Sequence, residues 1–266
     1  MSIDATREGS TLLITLNRPE VRNALDLEHL DALRDELCRF RDDPTLLVAV
    51  LTGTDKAFCV GTDLKQVPDP RASFAEGYFA PRRESVDAGV YVRALTVSSL
   101  DIRKPLIAAV NGYAIGGGME LALAADLRIA SESASFGLPE ARWASVPGIG
   151  GVSYLLRSIP RAVAMKMILT GDRIDAAEAL RLGLVSDVCD SPALVERAME
   201  LAARIEANGP LAVQGLKQLS DRTDDMSLSQ SIELEQLMWG LLRDTEDRLE
   251  GKRAFAERRK PQYRGH

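Results

Sequence analysis

Three features of the sequence predict an α/β fold with a helical tail. Short apolar runs that are typical of strands alternate with helical segments up to about residue 140. From Gly150 onward the apolar residues follow helical spacing almost throughout. No Ser/Gly-rich linker interrupts the chain, so the helical tail must pack on the body or on another subunit. We therefore expect residues 1–195 to form an α/β core and residues 196–266 to form a helical C-terminal region.

A hairpin and a long amphipathic helix are predicted first. Leu12–Leu16 has the pattern of a strand that pairs with Ile3–Arg7 across a glycine turn. Asp26–Asp43 predicts a helix capped by its first residue, whose buried face carries leucines at helical spacing: Leu27, Leu30, Leu33 and Leu37. His29 lies off this leucine face and is expected in a solvent position.

Two continuous apolar runs, Leu46–Leu51 and Leu106–Val110, each end in a glycine turn and predict strands buried on both faces. Leu127–Ala130 and Ala134–Phe136 are shorter strand candidates. The remaining pattern predicts helices at Val152–Ser158, Asp175–Leu182 and Pro192–Asn208, a small strand at Leu184–Val188, and two or three helices from Leu211 onward.

Composition disfavours several classes of protein. The net charge of −6 argues against broad nucleic-acid binding, which depends on a basic patch. No apolar run approaches the ~18 residues that a membrane span needs. The polar first ten residues lack the apolar stretch of a secretory signal. The three cysteines, Cys38, Cys59 and Cys189, are dispersed and indicate reduced thiols. We expect a cytoplasmic protein that binds neither membranes nor nucleic acid.

The scarcity of histidine narrows the possible chemistry. The chain has two histidines, His29 and the terminal His266. A Ser-His-Asp unit and a histidine-based zinc site are therefore disfavoured. A general base in this chain should be a carboxylate or, less often, a Lys, Tyr or Cys side chain. We expect neither a metal ion nor a redox cofactor.

Glu120 stands in an unusual setting. A buried strand ends at Asn111, three glycines follow at 116–118, and an almost wholly apolar helix begins. Unpaired N–H groups at such a helix start can hold a developing oxyanion or a phosphate. Glu120 lies in the first turn of this helix without a polar face, so it is expected to be buried. A glutamate that only complements the helix dipole is the simpler alternative.

Glu140 follows the next strand candidate, 20 residues along the chain. Pro139 fixes the backbone before it, and a glycine cluster at 148–151 opens another helix. A helix N-terminal charge is the simpler reading of Glu140 alone. This layout can bring Glu120 and Glu140 to opposite sides of one small site, where paired carboxylates can share acid and base roles.

A third segment runs from Thr52 to Leu64. A buried strand enters a loop of small residues, and Gly61 permits a close approach of the backbone, so an N–H near Thr62 can point at a ligand oxygen. An ordinary strand-to-helix turn capped by Asp63 is the alternative.

Five segments in order along the chain resemble those of the crotonase superfamily, the enoyl-CoA hydratase/isomerase family. They are Asn17–Leu25, Ala57–Leu64, Pro105–Glu120, Phe136–Glu140 with Val146–Gly151, and Glu250–Pro261. The resemblance implies a crotonase-like spiral of repeated ββα turns. It also implies a helical C-terminal region that builds homotrimers, often paired into hexamers. The implied substrate is an acyl-CoA thioester, with coenzyme A as part of the substrate rather than a bound cofactor.

The resemblance also assigns roles. The backbone N–H groups of Thr62 and Gly117 form an oxyanion hole for the thioester oxygen. Glu120 orients and activates water, and Glu140 delivers a proton to the α-carbon. Gly148 matches a position whose N–H helps to hold that water. The acyl-CoA is expected to contact Arg22, Ala24, Ala57, Phe58, Gly61, Asp63, Leu64, Gly116, Pro139 and Gly148.

Glutamate at both positions favours an enoyl-CoA hydratase, which adds water reversibly and with syn stereochemistry to a 2-enoyl-CoA. An enoyl-CoA isomerase or a carnitinyl-CoA-type dehydratase acting on a bulkier acyl-CoA remains open. Val60 and Ala144 are bulkier than is usual in the family, and the stretch between Asp63 and Pro105 is longer. That stretch carries Phe74, Tyr78, Phe79 and Tyr91 beside Arg82 and Arg83. We expect it to line a pocket for a bulky or ring-bearing acyl group, with a loose surface insertion as the alternative.

Two rival classes are weaker. The strand, glycine turn and helix at 110–125, with Glu132 after the next strand, imitate the dinucleotide-binding unit of an NAD(P) oxidoreductase. However, the glycines do not spell GxGxxG and the helix is short. A non-catalytic, RNA-binding relative is the second rival, but the acidic chain shows no lysine-rich helix face.

Overall fold

Two sheets form the centre of the protein. The structure, a computed structural model, describes residues 3–66, 73–87 and 89–266. Its strands are β1 (Ile3–Glu8), β2 (Thr11–Leu16), β3 (Val48–Gly53), β4 (Ala57–Cys59), β5 (Leu106–Val110), β6 (Tyr113–Ile115), β7 (Leu127–Ser131), β8 (Ser135–Gly137), β9 (Ile174–Asp175) and β10 (Asp187–Cys189). One sheet has the order β1-β2-β3-β5-β7-β10, and the other has the order β4-β6-β8-β9.

Most neighbouring strands are parallel. β1 and β2 form an antiparallel hairpin, and β2, β3, β5, β7 and β10 then follow one another in parallel. In the smaller sheet, β4, β6 and β8 are parallel and β9 is antiparallel to β8. Parallel strands need crossover connections, which helices and long loops provide here.

Helices cover the sheets and form the C-terminal third. They are α1 (Leu27–Asp42), α2 (Phe74–Phe79), α3 (Arg82–Asp87), α4 (Gly117–Leu123), α5 (Gly151–Ser158), α6 (Arg161–Thr170), α7 (Ala176–Leu182), α8 (Leu194–Glu206), α9 (Pro210–Thr223), α10 (Leu228–Arg243) and α11 (Glu246–Glu257). Within the described ranges, none of these helices combines the length and apolar character that crossing a bilayer requires.

The order of elements confirms the predicted ββα spiral. The pairs β3–β4, β5–β6 and β7–β8 each place one strand in the larger sheet and the next in the smaller sheet. Helical segments then lead to the following pair. Because β4, β6 and β8 run parallel, their carboxyl ends meet at one edge of the smaller sheet. That edge carries the candidate site.

Burial follows the apolar pattern of the sequence. Leu30, Leu33 and Leu37 of α1 are buried in the main core, as expected, and Leu27 is half-buried against it. A second cluster lies on the opposite face of the larger sheet, where Ala198 and Ala202 of α8 pack against strand side chains. Small residues on α8 allow this close approach of helix and sheet. The domain boundary expected at residue 195 therefore falls inside a helix that covers the sheet, and the division into two regions stays a prediction.

The hairpin and the strand at Leu106–Val110 were predicted with bounds that match within a residue. The strand expected at Leu184–Val188 lies later, at Asp187–Cys189. The solvent position expected for His29 is wrong. Its ring is largely buried and contacts the carboxylate of Asp26, which also caps α1 by accepting the His29 backbone N–H.

Candidate active site

The edge formed by β4, β6 and β8 brings three distant segments together. Thr62 follows β4, Gly117 follows β6 and Glu140 follows β8. The register pairs Ile115 with Gly137, and the Gly116 N–H donates to the Gly137 carbonyl at 2.9 Å. Residues separated by up to 78 positions in the chain thus share one site, as parallel pairing requires.

Glu120 is fixed through one of its two carboxylate oxygens. It lies in the first turn of α4 and is 4% exposed. Its Oε1 accepts hydrogen bonds from the backbone N–H groups of Ile149 and Gly151, both at 2.8 Å. Gly151 is the first residue of α5, so the positive end of that helix faces the carboxylate. Both bonds are to Oε1, and Oε2 has no hydrogen-bond partner among the described residues.

Gly151 makes this arrangement possible because it has no side chain. A methyl group at its Cβ position would lie 2.9 Å from Cγ of Glu120 and 3.1 Å from Oε1. The close contact is tighter than van der Waals packing permits. Sequence reasoning noticed the glycine cluster at 148–151 but did not identify the Ile149 and Gly151 N–H groups as anchors for Glu120.

Glu140 has a different environment. It begins a short 3-10 helix, Glu140–Trp143, directly after Pro139. Its Oε2 is buried without a hydrogen-bond partner among the described residues. Burial raises the pKa of the Glu140 carboxyl, and the negative charge of Glu120 raises it further, although a hydrogen bond from its own backbone opposes the rise. The protonated acid is therefore favoured more than in water.

Arg142 secures the turn that carries Glu140. Its Nε donates to the Thr170 carbonyl at 2.8 Å, and its Nη2 donates to Asp172 at 2.9 Å. Gly171 lies against the same guanidinium, where a methyl group would be 2.7 Å from Nε. The end of α6 therefore holds the Glu140 turn in place.

Two backbone N–H groups lie side by side next to the glutamates. Leu25 donates its N–H to the Gly61 carbonyl at 2.8 Å and accepts from the Asp63 N–H at 2.9 Å, in a parallel bridge to Thr62. Because successive N–H groups of an extended chain point to opposite sides, the Thr62 N–H points away from Leu25. A methyl group at Gly117 would lie 3.8 Å from the Thr62 nitrogen. In the described part of the chain neither the Thr62 nor the Gly117 N–H has a protein acceptor.

These groups open into one cavity of about 340 Å³, a size typical of small-molecule sites. Its lining is mainly apolar: Leu25, Leu30, Val60, Leu64, Tyr91, Val92, Leu95, Ile115, Leu121, Trp143, Val146 and Ile149. Among the described lining residues, Glu120 and Glu140 are the charged ones. Elsewhere in residues 3–66, 73–87 and 89–266 there is no cluster of three His, Cys, Asp or Glu side chains suited to a metal ion.

The residues expected to contact the substrate divide into two sets. Five line the cavity: Gly61, Leu64, Gly116, Pro139 and Gly148. The other five lie outside its lining: Arg22, Ala24, Ala57, Phe58 and Asp63. Ala57 and Phe58 are buried in the core, and Asp63 bonds to Arg18. A role of either set in substrate binding stays a prediction.

Part of the long stretch between β4 and β5 lines the cavity. Tyr91 lines it, together with Val92 and Leu95, which sequence reasoning did not single out. Phe74, Tyr78 and Phe79 lie outside the lining and contact one another through their rings. The expectation for these three aromatic residues is therefore wrong. Residues 67–72 and 88, which belong to the same stretch, lie outside the described residues.

Of the two bulky departures from the family pattern, Val60 lines the cavity. Ala144 is outside the lining and has a left-handed backbone with φ 53°, which is unusual for a residue other than glycine. Ala144 ends the Glu140–Trp143 turn, and its N–H donates to the carbonyls of Ala141 and Glu140.

Comparison with known proteins agrees with the fold and shows the family. Residues 6–266 match the enoyl-CoA hydratase/isomerase family, and the chain belongs to this family. It is 49% identical to the (E)-benzylidenesuccinyl-CoA hydratase of Thauera aromatica over 253 residues, covering 95% of this chain and 94% of that protein. It is 41% identical to the carnitinyl-CoA dehydratase of Proteus mirabilis, with 99% and 98% covered. A crystal structure of an enoyl-CoA hydratase from Bacillus anthracis has a TM-score of 0.89 and 37% identity, with all of both chains covered.

Proposed function

We propose that the protein is an enoyl-CoA hydratase that adds water reversibly, with syn stereochemistry, to a 2-enoyl-CoA. The observation that carries this proposal is the unequal environment of two carboxylates at one cavity. Glu120 is anchored through Oε1 by two N–H groups. Glu140 keeps a buried oxygen without a partner, and its pKa is raised. An anchored base and a protonated acid are what addition of water across a double bond requires.

In the proposed reaction, Oε2 of Glu120 accepts a hydrogen bond from water and takes its proton as the oxygen bonds to C3 of the thioester. The pair of electrons of the double bond moves toward the thioester carbonyl, and protonated Glu140 gives its proton to C2. Glu120 then carries the proton that water lost, and Glu140 is ionised. Proton exchange with solvent restores both groups.

The backbone N–H groups of Thr62 and Gly117 supply the electrostatic part of the proposal. Negative charge develops on the thioester oxygen during addition. Thr62 and Gly117 line the cavity that Glu120 and Glu140 also line, and neither N–H has a protein acceptor in the described part of the chain. Donors that are fixed before the reaction stabilise such charge at little reorganisation cost, and removal of one typically slows a reaction by ~10²–10³-fold. Coenzyme A would enter as part of the substrate.

The relatives support a hydration or dehydration reaction. The Thauera aromatica and Proteus mirabilis relatives are a hydratase and a dehydratase, each of a CoA thioester. Dehydration is the same reaction in reverse and uses the same groups in the opposite protonation states. An isomerase remains the alternative, because moving a double bond also needs a carboxylate and an oxyanion hole.

The test of this proposal follows the loss of enoyl-thioester absorbance with a panel of 2-enoyl-CoAs. We expect Glu120→Gln and Glu140→Gln each to lower kcat by ~10²–10⁴-fold, since each removes a proton-transfer group. Glu132→Gln, at an exposed position after β7, is the matched control and should keep wild-type activity. If wild type binds CoA thioesters and hydrates none of the panel, the proposal fails.

The apolar lining indicates a bulky or ring-bearing acyl group. Tyr91, Val92 and Leu95 face the same cavity as Trp143 and Val146, and an aromatic pair adds ~0.5–1.5 kcal/mol beyond area burial. Tyr91→Ala should therefore lower the preference for a ring-bearing enoyl-CoA over crotonyl-CoA by ~3–10-fold in kcat/KM. Tyr78→Ala removes the same side chain outside the cavity and should leave the ratio unchanged. A clear preference of wild type for crotonyl-CoA would contradict a bulky substrate.

A further inference from the structure

A buried ion cluster lies behind the loop that carries the Thr62 N–H. Its members are Arg18, Asp26 and Asp63, whose side chains are 13%, 12% and 10% exposed. None of the three lines the cavity. The three side chains therefore do not face the substrate cavity directly.

Arg18 joins two carboxylates that would otherwise repel each other. Its Nη1 lies 3.1 Å from Oδ2 of Asp63 and 3.4 Å from Oδ2 of Asp26. The same Nη1 donates to the Ala24 carbonyl at 3.1 Å. In the orientation that its hydrogen bonds require, the Gln66 amide accepts from Arg18 Nη2 at 2.9 Å and donates to Asp26 at 3.0 Å. One guanidinium thus contacts two acids that are mostly withdrawn from water, and its single positive charge offsets one of their two negative charges, while the His29 ring also contacts Asp26.

The backbone around Arg18 is itself fixed. Its N–H donates to the Asn23 side chain at 2.8 Å, and Asn23 is fully buried with a left-handed backbone at φ 57°. The Asn23 amide nitrogen donates to the carbonyls of Thr54 and Ala57 at 3.1 and 2.7 Å. Arg18 is therefore attached to the segments on both sides of β4.

Asp63 transmits this attachment to Thr62. The two residues are adjacent, and the Asp63 N–H and the Gly61 carbonyl are both bonded to Leu25. The Arg18–Asp63 pair and the Leu25 bridge hold the two neighbours of Thr62, which leaves little freedom for the direction of its N–H. Small displacements of a group that positions a reacting atom can cost ~10²-fold in rate.

We infer that Arg18 is a positioning residue that, through Asp63, aims the Thr62 N–H at the thioester oxygen. The inference rests on the proposed function because it assumes that this N–H is an oxyanion donor. Without the guanidinium, Asp26 and Asp63 face each other as like charges, and the loop has to move to separate or hydrate them. The donor then leaves the position that the developing charge requires.

The test compares Arg18→Gln, Arg18→Lys and Asp63→Asn with Glu20→Gln. Glu20 is the exposed partner of Arg18, 3.7 Å from its Nε, and serves as the matched control. For each protein, kcat and KM are measured with the best enoyl-CoA of the panel. The carbonyl stretching frequency of a bound CoA thioester is measured by isotope-edited infrared difference spectroscopy. A hydrogen bond to the carbonyl lowers that frequency, and unfolded protein does not contribute to the bound signal.

We expect Arg18→Gln to lower kcat by ~10–10²-fold with KM changed by less than ~3-fold, and to reverse part of the wild-type frequency shift. Arg18→Lys keeps the charge and should recover most of the loss, Asp63→Asn should give a smaller loss, and Glu20→Gln should match wild type. If Arg18→Gln is too unstable to isolate, the carbonyl frequency of the thioester bound to Asp63→Asn tests the inference by itself.

The inference is overturned if Arg18→Gln and Asp63→Asn show the same carbonyl frequency shift as wild type. A fall in the activity of these variants would then come from a loss of folded protein and not from a displaced Thr62 N–H. Failure of the proposed function looks different, since wild type itself would then hydrate no enoyl-CoA. If wild type lowers the carbonyl frequency of a bound thioester but hydrates no enoyl-CoA, the carbonyl frequencies of the same variants still test the positioning role.

Discussion

At the scale of single residues, Glu140 combines burial with a missing partner. An ionised carboxylate in that position is destabilised, whereas the neutral acid is tolerated. The raised pKa therefore follows from the same geometry that suits Glu140 to the proton-donor role in the proposed reaction. It also means that the folded protein binds a proton more tightly at this position than the unfolded chain does.

Replacement of Glu140 by Gln should stabilise the fold in a pH-dependent way. Because the folded-state pKa is raised, wild type loses stability as the pH rises from the unfolded pKa, near 4.5, through the folded one. Gln imitates the neutral acid and avoids that loss. Thermal unfolding should show equal midpoints for the two proteins at pH 4 and a higher midpoint for Glu140→Gln at pH 8. A lower midpoint for the variant at pH 8 would contradict the assigned environment.

The pH dependence of kcat/KM should be the same in both directions. Hydration needs one proton on the pair of glutamates, held by Glu140, and dehydration needs the same number of protons on the pair, held by Glu120. Because the reaction takes up no proton overall, kcat/KM should fall in both directions as the pH rises through the raised pKa of Glu140. Steady-state rates in both directions between pH 5 and 10 test this. A kcat/KM for hydration that does not fall over this range would exclude Glu140 as the acid.

The sequence could predict that these residues belong to the site, but it could not predict which groups they contact. The apolar surroundings of Glu120 in the sequence correctly indicated burial. The Ile149 and Gly151 N–H groups that anchor it could not be predicted, because residues 29 and 31 positions away meet it through the fold alone. The Arg18 cluster was missed for the same reason.

At the scale of elements, the turn between β6 and α4 depends on glycine. Gly116 has φ 56° and ψ −129°, a conformation that residues with a Cβ rarely adopt. A methyl group there would also lie 3.2 Å from Oε1 of Glu140. Backbone strain and a carboxylate contact thus coincide at one residue.

Gly116→Ala should lose both stability and activity. The backbone change costs ~1–3 kcal/mol, and displacement of Glu140 should reduce kcat by at least ~10-fold. Gly183→Ala is the matched control, since Gly183 also has positive φ, 79°, but nothing within 4 Å of a Cβ atom, at the end of α7. It should lose stability and keep its activity. Equal activity of the two variants would show that the contact with Glu140 is unimportant.

The elements differ in how well they can be predicted from the sequence. β5 and α1 were predicted because five or more residues repeat an apolar pattern. β4, β6 and β9 have two or three residues, too few for any period to appear. Of the smaller sheet, only β8 was predicted from the apolar pattern, as the strand candidate Ala134–Phe136. The edge that carries the site belongs to that sheet.

At the scale of the whole molecule, α9 to α11 expose large apolar side chains. On α9 and α10, Leu216, Leu237, Trp239 and Leu241 are each at least 60% exposed. Helices of a globular protein usually bury such residues. We expect a second copy of the chain to cover this surface, in the trimer or hexamer that the family resemblance implies.

Trp239→Glu should weaken that assembly, because a charge would replace a large apolar group at the contact. Gln236→Glu adds the same charge at another exposed position of α10 and is the control. Light scattering after size exclusion should give the mass of three or six chains for wild type and the control, and a smaller mass for Trp239→Glu. A monomeric wild type would contradict the expected assembly.

The most direct test of the claim that the enzyme adds water measures which atoms of the solvent enter the product. A ring-bearing 2-enoyl-CoA is incubated with the enzyme in H2¹⁸O or in D2O, and the product is analysed by mass spectrometry. Hydration by Glu120 and Glu140 predicts one ¹⁸O in a hydroxyl group at C3 and one deuterium at C2. A product that carries deuterium but no ¹⁸O would show that the two carboxylates move a double bond and do not add water.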